Sequence, residues 1–326
     1  MKKLLLVIFI GFGLQTHAQL WNIQIDTDPT TIATGLSGVS WTGTEFWCSE
    51  WGSAIIHTAN ASGGSTGSFT IPGITGTRSM TTDGTHIYIG TAATAIYQVD
   101  PITKTLISTI TTTVPACRYL TFDPGLDNGN GGFWTGSYAS DIVAVSMTGN
   151  TLSSIPAATH GLTIYGMAFD NHSTGGPFLW AFDQGASGGE ANIIQLNSLG
   201  IPTGISFDAN TLGSGGGTAG GLFICNNFVM GTNSVIGINQ GTSLFALELA
   251  DPPTDDPILL NLDIDAYVIN PTNVDINGII KNGGLNPITS IDVKWSDGTN
   301  TYTDNLIGLN IIMNGTYNFT HSSQLI

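Results

Sequence analysis

The chain has 326 residues, of which 41% are hydrophobic, 9% are charged and 43 are glycine, and its formal net charge at pH 7 is −16. This hydrophobic fraction excludes a disordered chain, and the low charged fraction with abundant glycine favours many short strands and turns over helices. The negative charge argues against a nucleic-acid partner, because the summed field repels DNA, RNA and anionic lipid surfaces.

Residues 1–18 have the pattern of a secretory signal peptide. Two lysines precede an apolar run from Leu4 to Leu14, and the small residue Ala18 supplies the cleavage site. The run is too short to span a bilayer comfortably, and no cysteine directly follows it to carry a lipid anchor. We therefore predict an exported protein without an integral membrane span, secreted or held at the cell surface on the outer-membrane exterior.

Residues 19–249 contain a repeat with the length of a propeller blade. Its strand-like segments carry aromatic residues at intervals of 41, 46, 46 and 43 positions, namely Trp47, Tyr88, Trp134, Trp180 and Phe223. In the second, third and fourth repeats, four alternating segments are separated by turn residues, as in a four-stranded blade. We predict an all-β fold with a β-propeller, with five blades preferred and six as the alternative.

The two ends of this repeat region complement each other. The fifth repeat lacks a fourth strand before the sequence changes character, whereas residues 21–34 contain a strand-like segment that belongs to no repeat. A closed propeller must complete every blade. We therefore predict that this segment supplies the missing outer strand.

Two further segments follow the repeats. Residues 250–257 are rich in proline and aspartate, which predicts a linker. Residues 258–326 contain five strand-like segments at the spacing of a small sandwich. Because these 69 residues fall short of the ~100 that such a fold usually has, we predict a partial immunoglobulin-like β-sandwich.

Segments of both regions resemble one protein family. "PFLWAFDQG" and "AGGLFICNN" are similar to the propeller of secreted surface proteins of the Bacteroidota, and "GIIKNGGLNPITSIDVKWSDG" resembles the immunoglobulin-like adhesion modules that follow it. The resemblance implies type IX secretion and a role in adhesion. Family members typically end in a type IX sorting domain, which is absent here, so we expect a different means of anchoring or a fragment of a longer chain.

Three hydrogen-bonding side chains occupy one equivalent position in successive repeats. Arg78, Arg118 and Tyr165 each stand five residues before an aspartate that ends an inner strand. Inner strands line the central channel of a propeller, so we expect the three side chains to converge near one mouth. One interpretation is a clamp for an anion or a sugar carboxylate, because arginine offers a fixed fork of donors. The other is that each arginine binds acidic or carbonyl groups of a neighbouring blade and staples the ring.

The loops after the second strands supply further candidates. They are expected to cluster on one face, and they contain Glu50, Trp51, Tyr138, Asp183, Gln184 and Phe228. This mixture of aromatic and polar groups is typical of a carbohydrate-binding or peptide-binding surface, although packing at a blade rim is the alternative. The acidic members could also form a general acid/base pair.

Metal and nucleophile motifs are weak. Cys48, Cys117 and Cys225 have no metal-binding spacing, and the first and last lie in apolar strand-like runs that suit structural cysteines. The loop at residues 122–137 offers carboxylate and amide oxygens to Ca²⁺, but it changes length between repeats and lacks the bidentate glutamate of an EF-hand, which favours a turn. We expect no cofactor and no metal, with Ca²⁺ as the alternative, and we assign no catalytic residue.

The sequence thus predicts an exported, noncatalytic binding or adhesion protein. Its propeller face would bind an extracellular glycan or protein ligand. One alternative is a propeller enzyme, such as a lyase or a lactone or glycan hydrolase, acting at the channel mouth. The other is a structural spacer of a surface assembly.

Overall fold

The structure is a computed structural model that describes residues 20–173, 175–230, 232–250, 255, 257–263, 274–282, 286–296, 299–312 and 315–324. The predicted signal peptide and most of the predicted linker lie outside these residues. The chain divides into two compact units, one of residues Ala18–Ala250 and one that includes Asp251–Ile326. Nearly all regular structure in the described part is β-strand, which confirms the all-β prediction. No helix in the described part is long and apolar enough to cross a membrane.

Twenty strands lie in the described part of the larger unit. In chain order they are β1 (Ile23–Thr27), β2 (Leu36–Trp41), β3 (Phe46–Glu50), β4 (Ile55–Ala59), β5 (Ser65–Thr70), β6 (Thr77–Thr82), β7 (Ile87–Thr91), β8 (Ala95–Asp100), β9 (Thr105–Thr111), β10 (Tyr119–Asp123), β11 (Gly132–Gly136), β12 (Ile142–Ser146), β13 (Thr151–Ile155), β14 (Ile164–Asp170), β15 (Phe178–Asp183), β16 (Asn192–Leu196), β17 (Pro202–Asp208), β18 (Thr218–Cys225), β19 (Asn233–Gln240) and β20 (Ser243–Ala250). Short helical turns connect some of them, at Pro29–Thr31, Leu126–Gly129, Ala157–His160 and Ala209–Thr211.

These strands form five antiparallel four-stranded sheets, which are the five blades of a propeller. Blades 1 to 4 are the consecutive sheets β2-β3-β4-β5, β6-β7-β8-β9, β10-β11-β12-β13 and β14-β15-β16-β17, and blade 5 has the order β18-β19-β20-β1. The innermost strands β2, β6, β10, β14 and β18 contact one another in a ring. The preferred prediction of five blades is therefore confirmed.

The N-terminal strand closes the ring, as predicted for residues 21–34. β1 pairs antiparallel with β20, with Asp26 opposite Phe245. The Asp26 carboxylate accepts hydrogen bonds from the Ser243 hydroxyl at 2.7 Å and from the Gly213 N–H at 2.9 Å. Trp21, just before β1, packs edge-on against Trp180 of blade 4, with ring centroids 5.4 Å apart. The segment from Trp21 to Thr27 therefore completes blade 5 and also contacts blade 4.

An aspartate at the end of each of three inner strands explains the aromatic period. In blades 2, 3 and 4, one carboxylate oxygen of this aspartate accepts a hydrogen bond from the aromatic residue of the second strand. The pairs are Asp83 with the Tyr88 hydroxyl (2.8 Å), Asp123 with Trp134 Nε1 (2.9 Å) and Asp170 with Trp180 Nε1 (3.1 Å). The other oxygen accepts turn N–H groups, so the carboxylate fixes the connection between first and second strands.

The sequence alignment of blade 5 was wrong by one strand. Phe223 lies on β18, the innermost strand, whereas the equivalent aromatic residues of the other blades lie on second strands. The physical reason is the glycine pair before it: a Cβ at Gly221 would lie 2.7 Å from the Gly38 Cα of blade 1, so only glycine permits this close approach. The loop after β18, with Phe228, consequently lies at the mouth opposite to the one predicted.

Glycine also narrows the central channel. A Cβ at Gly38 would lie 2.4 Å from the Arg78 carbonyl oxygen of blade 2, and one at Gly166 would lie 2.4 Å from the Gly220 carbonyl oxygen of blade 5. Cα atoms of β18 and β6, which belong to blades that are not neighbours, come within 8 Å of each other. A ring this tight has no room for a polymer to pass, so the two mouths are separate surfaces.

The described part of the smaller unit contains five strands. They are β21 (Pro257–Asp263), β22 (Asn277–Asn282), β23 (Ile288–Ser296), β24 (Thr301–Ile311) and β25 (Thr316–Thr320). They form the sheets β21-β22-β25 and β23-β24, and one buried apolar cluster joins Ile280 and Phe319 of the first sheet to Val293 and Ile311 of the second. Two sheets that share a core are a sandwich, as predicted.

Candidate functional site

The structure brings together five of the predicted ligand-binding residues at one mouth of the propeller. Arg78 and Tyr165 lie near the start of the inner strands β6 and β14, and Arg118 immediately precedes β10. Trp51 and Tyr138 follow β3 and β11, whose ends lie beside the starts of the inner strands because the pairing is antiparallel. We call these five residues the mouth cluster.

Trp51 connects two blades across the mouth. The Arg78 Cζ atom lies 3.7 Å from the centroid of the Trp51 ring, which is a close cation–π contact. The same ring stacks on Tyr165, with centroids 5.5 Å apart and an interplanar angle of 30°. A residue of a blade 1 loop thus contacts both blade 2 and blade 4, and its side chain remains 44% exposed.

Arg118 and Tyr138 extend the cluster. The Arg118 Cζ atom lies 4.9 Å from the Tyr138 ring centroid, and its Nη1 donates a hydrogen bond to the Tyr138 hydroxyl at 3.4 Å. The Tyr138 and Tyr165 rings lie 6.2 Å apart. Two guanidinium groups are therefore joined through three aromatic rings.

Arg78 is a buried cation whose donors lack acceptors. The residue is 8% exposed, and its Nε and Nη1 atoms are buried with no hydrogen-bond partner among the described residues. No described acidic side chain forms an ion pair with Arg78 or Arg118. A buried charge without a counter-charge is costly, so these donors favour an anionic partner.

The contacts of Arg78 and Arg118 do not fit the staple interpretation, in which each arginine binds acidic or carbonyl groups of a neighbouring blade. Hydroxyl groups fasten the neighbouring blades instead: Thr81 accepts the Phe122 N–H at 3.1 Å, and Thr121 accepts the Phe169 N–H at 2.8 Å. Arg118 bonds within its own blade. Among the described residues, neither guanidinium group is therefore held by an acidic or carbonyl group of a neighbouring blade.

The Tyr165 hydroxyl adds a third unsatisfied group. It is buried without a hydrogen-bond partner among the described residues, in a residue that is 3% exposed. Burial raises the pKa of Tyr165, while the nearby positive charge of Arg78 acts in the opposite direction. The hydroxyl therefore stays protonated at neutral pH and can donate to an anion beside Arg78.

Tyr138 has a strained backbone. Its φ is +49°, in the left-handed region, which costs about 1–2 kcal/mol for a residue with a side chain. The Ile164 N–H donates to the Tyr138 carbonyl oxygen at 3.2 Å and holds this conformation. Strain of this kind often marks a site where a side chain must be placed for a purpose.

The remaining predicted residues have other partners. Asp183 is 7% exposed and its carboxylate accepts the Thr163 N–H at 2.7 Å, which makes it part of the blade 4 turn. Glu50 lies 3.5 Å from His57 Nε2 on the third strand of blade 1. The structure does not join either carboxylate to the mouth cluster, so an acid/base pair there has no support from these contacts.

The thiols and the loop at residues 122–137 also have structural roles. The three cysteines are free, and burial raises the pKa of Cys48 and Cys225 to about 12. Both oxygens of Asp123 accept protein donors, and the loop contains two left-handed residues, as a tight turn requires. No group of three or more His, Cys, Asp or Glu that could hold a metal occurs among the described residues.

No family model and no curated protein matches the chain. Among solved structures, the chain is similar to the crystal structure of Myxococcus xanthus glutaminyl cyclase, with a TM-score of 0.51 and 11% identity over 71% of this chain and 97% of that chain. It is also similar to Kuenenia stuttgartiensis hydrazine synthase, with a TM-score of 0.37 and 12% identity over 84% of this chain and 66% of that chain. The first likeness supports the propeller fold alone, and the second carries no argument.

Proposed function

We propose that this chain is an exported binding protein whose mouth cluster binds a carboxylate-bearing glycan outside the cell. The observation that carries the proposal is the buried Arg78 guanidinium, whose Nε and Nη1 donors have no acceptor among the described residues. Carboxylates match the fork of donors that a guanidinium presents. Export, surface location and type IX secretion remain proposals that rest on the N-terminal pattern and the family resemblance.

The distribution of charge supports an anion at this mouth. Arg78 and Arg118 are the only arginines in the sequence, which has a net charge of −16. Both lie in the mouth cluster, whereas the summed field of the chain opposes anions elsewhere. The two arginines therefore favour anion binding at this mouth, on a protein whose surface otherwise repels anions.

The aromatic rings favour a sugar over a simple ion. Trp51 exposes 44% of its surface beside Arg78, and the Tyr138 ring beside Arg118 is half-buried. Flat aromatic surfaces with polar atoms at their edges contact the apolar face of a sugar ring while charged groups orient its polar substituents. A uronic acid combines both features.

Isothermal titration of the propeller with galacturonate and with galactose tests this function. We expect galacturonate to bind and galactose, which lacks the carboxylate, to bind at least tenfold more weakly at this mouth. Arg78→Met should abolish the preference. Lys104→Met is the matched control, because it removes the same charge from a side chain that pairs with Glu45 at 3.2 Å.

Three outcomes would contradict the proposal. Equal affinity of the wild type for both sugars would show that the arginines do not select a carboxylate. Conversion of the ligand into product during the titration would favour the enzymatic alternative. The glutaminyl cyclase to which the chain is similar in fold is itself named as an enzyme. Absence of any glycan ligand would favour the structural spacer.

A further inference from the structure

A cavity of about 260 Å³ lies at the opposite mouth of the propeller. Blade 1 contributes Trp41 and Thr42, blade 2 contributes Thr82 and Thr85, and the loop after β18 contributes Asn226 and Asn227. Thr82 is the last residue of β6, whereas Arg78 lies near its start, so the cavity and the mouth cluster are at opposite ends of the same inner strand. The narrow ring of inner strands separates the two.

Two side-chain amides at this cavity make no hydrogen bond with the described residues. They belong to Asn226, which is half-buried, and Asn227, which is exposed. Trp41 is 5% exposed and its indole N–H is buried, so the ring packs within the cavity wall. The unpaired amides at the cavity can donate to and accept from a ligand that offers both kinds of group.

The cavity wall is held in place by aromatic packing. Phe228, next to the two asparagines, packs edge-on against Trp41 with ring centroids 5.1 Å apart and contacts Phe46 at 5.4 Å. On the other side, Thr82 donates to the His86 carbonyl oxygen at 2.8 Å and accepts the Gly84 N–H. A wall of this kind loses little conformational freedom on binding, as in most preformed ligand sites.

The charge of the lining defines the ligand class. Among the described lining residues, Asp, Glu, Lys and Arg are absent. The groups present are hydroxyls, amides, His172, Cys225, the apolar side chains of Ile87, Pro101 and Ile224, and the nearly buried rings of Trp41 and Phe223. Amides and hydroxyls pair with sugar hydroxyls in either direction, and apolar side chains contact the apolar face of a sugar ring. The volume lies just below the roughly 300 Å³ at which pockets for drug-sized ligands begin. We propose that this cavity is a second binding site, for a neutral monosaccharide.

Saturation-transfer NMR and titration calorimetry with glucose, galactose, mannose and N-acetylglucosamine test this proposal. We expect at least one of the four sugars to bind the wild type. Asn226→Leu with Asn227→Leu should weaken that binding about tenfold or more, because each amide contributes hydrogen bonds in a partly buried site. Asn150→Leu is the control: it removes an exposed amide from a blade 3 turn, where the side chain bonds Thr148 at 3.1 Å. Its affinity for the sugar should equal that of the wild type.

A measurement on the wild type keeps the test decisive if the double variant does not fold. The side-chain amides of Asn226 and Asn227 line the cavity, so their NMR signals in the ¹⁵N-labelled wild type report on it directly. Bound sugar should therefore shift these signals. Failure of all four sugars to bind, unchanged affinity in a folded double variant, or unchanged amide signals at saturating sugar would overturn the proposal. The Arg78→Met variant should leave sugar binding at this cavity unchanged, which separates these results from those with galacturonate.

Discussion

Arg78→Met should leave the unliganded propeller as stable as the wild type or make it more stable. Methionine keeps the length and apolar stem of the side chain and removes its charged head. The lost cation–π contact with Trp51, at 3.7 Å, is worth about 0.5–2 kcal/mol. Two buried donors without acceptors are also removed, and each such group costs about 1–3 kcal/mol. The net change should lie between zero and about 5.5 kcal/mol of stabilisation.

Ligand should reverse this order of stability. At a galacturonate concentration of about one hundred times Kd, the wild type should gain roughly 2.7 kcal/mol, because the ligand binds the folded state alone. The variant, without the guanidinium, should gain nothing. Urea denaturation followed by circular dichroism, with and without galacturonate, measures both quantities, and Lys104→Met controls for the change in net charge.

A staple would behave in the opposite way. Removing one partner of a buried ionic contact typically costs about 3–5 kcal/mol. If Arg78→Met lowers the free energy of unfolding by that amount and galacturonate protects neither protein, then Arg78 has a structural partner, and the reasoning from its unsatisfied donors is refuted.

Three further predictions concern the fold. Asp170→Ala should destabilise the propeller by about 3 kcal/mol or more, because the carboxylate is 0% exposed and its loss leaves Trp180 Nε1 and turn N–H groups unpaired; a change below 1 kcal/mol in urea denaturation would contradict this. Asp26→Ala should release the closing strand β1, because the hydrogen bond from Ser243 is lost. Limited proteolysis should then cleave the chain before β2 faster than in the wild type. Unchanged cleavage would show that closure of the ring does not depend on Asp26. Burial raises the pKa of Asp83, but hydrogen bonds from the turn outweigh it and hold the pKa below its usual 3.8. Its ionised form therefore stabilises the fold above about pH 4 and this contribution is lost as the pH falls further, so Asp83→Asn should flatten the fall in Tm between pH 5 and 3, and an unchanged slope would argue against this role.

Much of the fold could be predicted from local patterns. Alternating segments and turn residues repeat in blades 2 to 4, so the period alone predicts four-stranded units. Blade 5 could not be aligned in this way, because "LFICNN" has the apolar character of a second strand although it lies innermost. The deciding signal was the glycine pair at Gly220 and Gly221, whose role depends on contacts with blade 1 that lie far away in sequence.

The candidate site, like the fold, could be predicted from the sequence only in part. The aspartate at the end of three inner strands was a sufficient reference to place Arg78, Arg118 and Tyr165 at equivalent positions. The sequence could not show that Trp51 covers the Arg78 guanidinium or that its donors lack acceptors, because both depend on how blades meet across the mouth. The opposite cavity escaped prediction for the same reason: its residues come from separate blades and contain no charge or motif.

The side-chain NMR signals of the two arginines test the central claim most directly. The sequence has only Arg78 and Arg118, so a ¹⁵N-labelled propeller should give two Nε–H signals, one for each guanidinium of the mouth cluster. The account predicts that both signals shift on titration with galacturonate, with the larger change at Arg78, and that galactose moves neither. If galacturonate binds to saturation and neither signal moves, the anion binds elsewhere and the proposed function of this mouth is wrong.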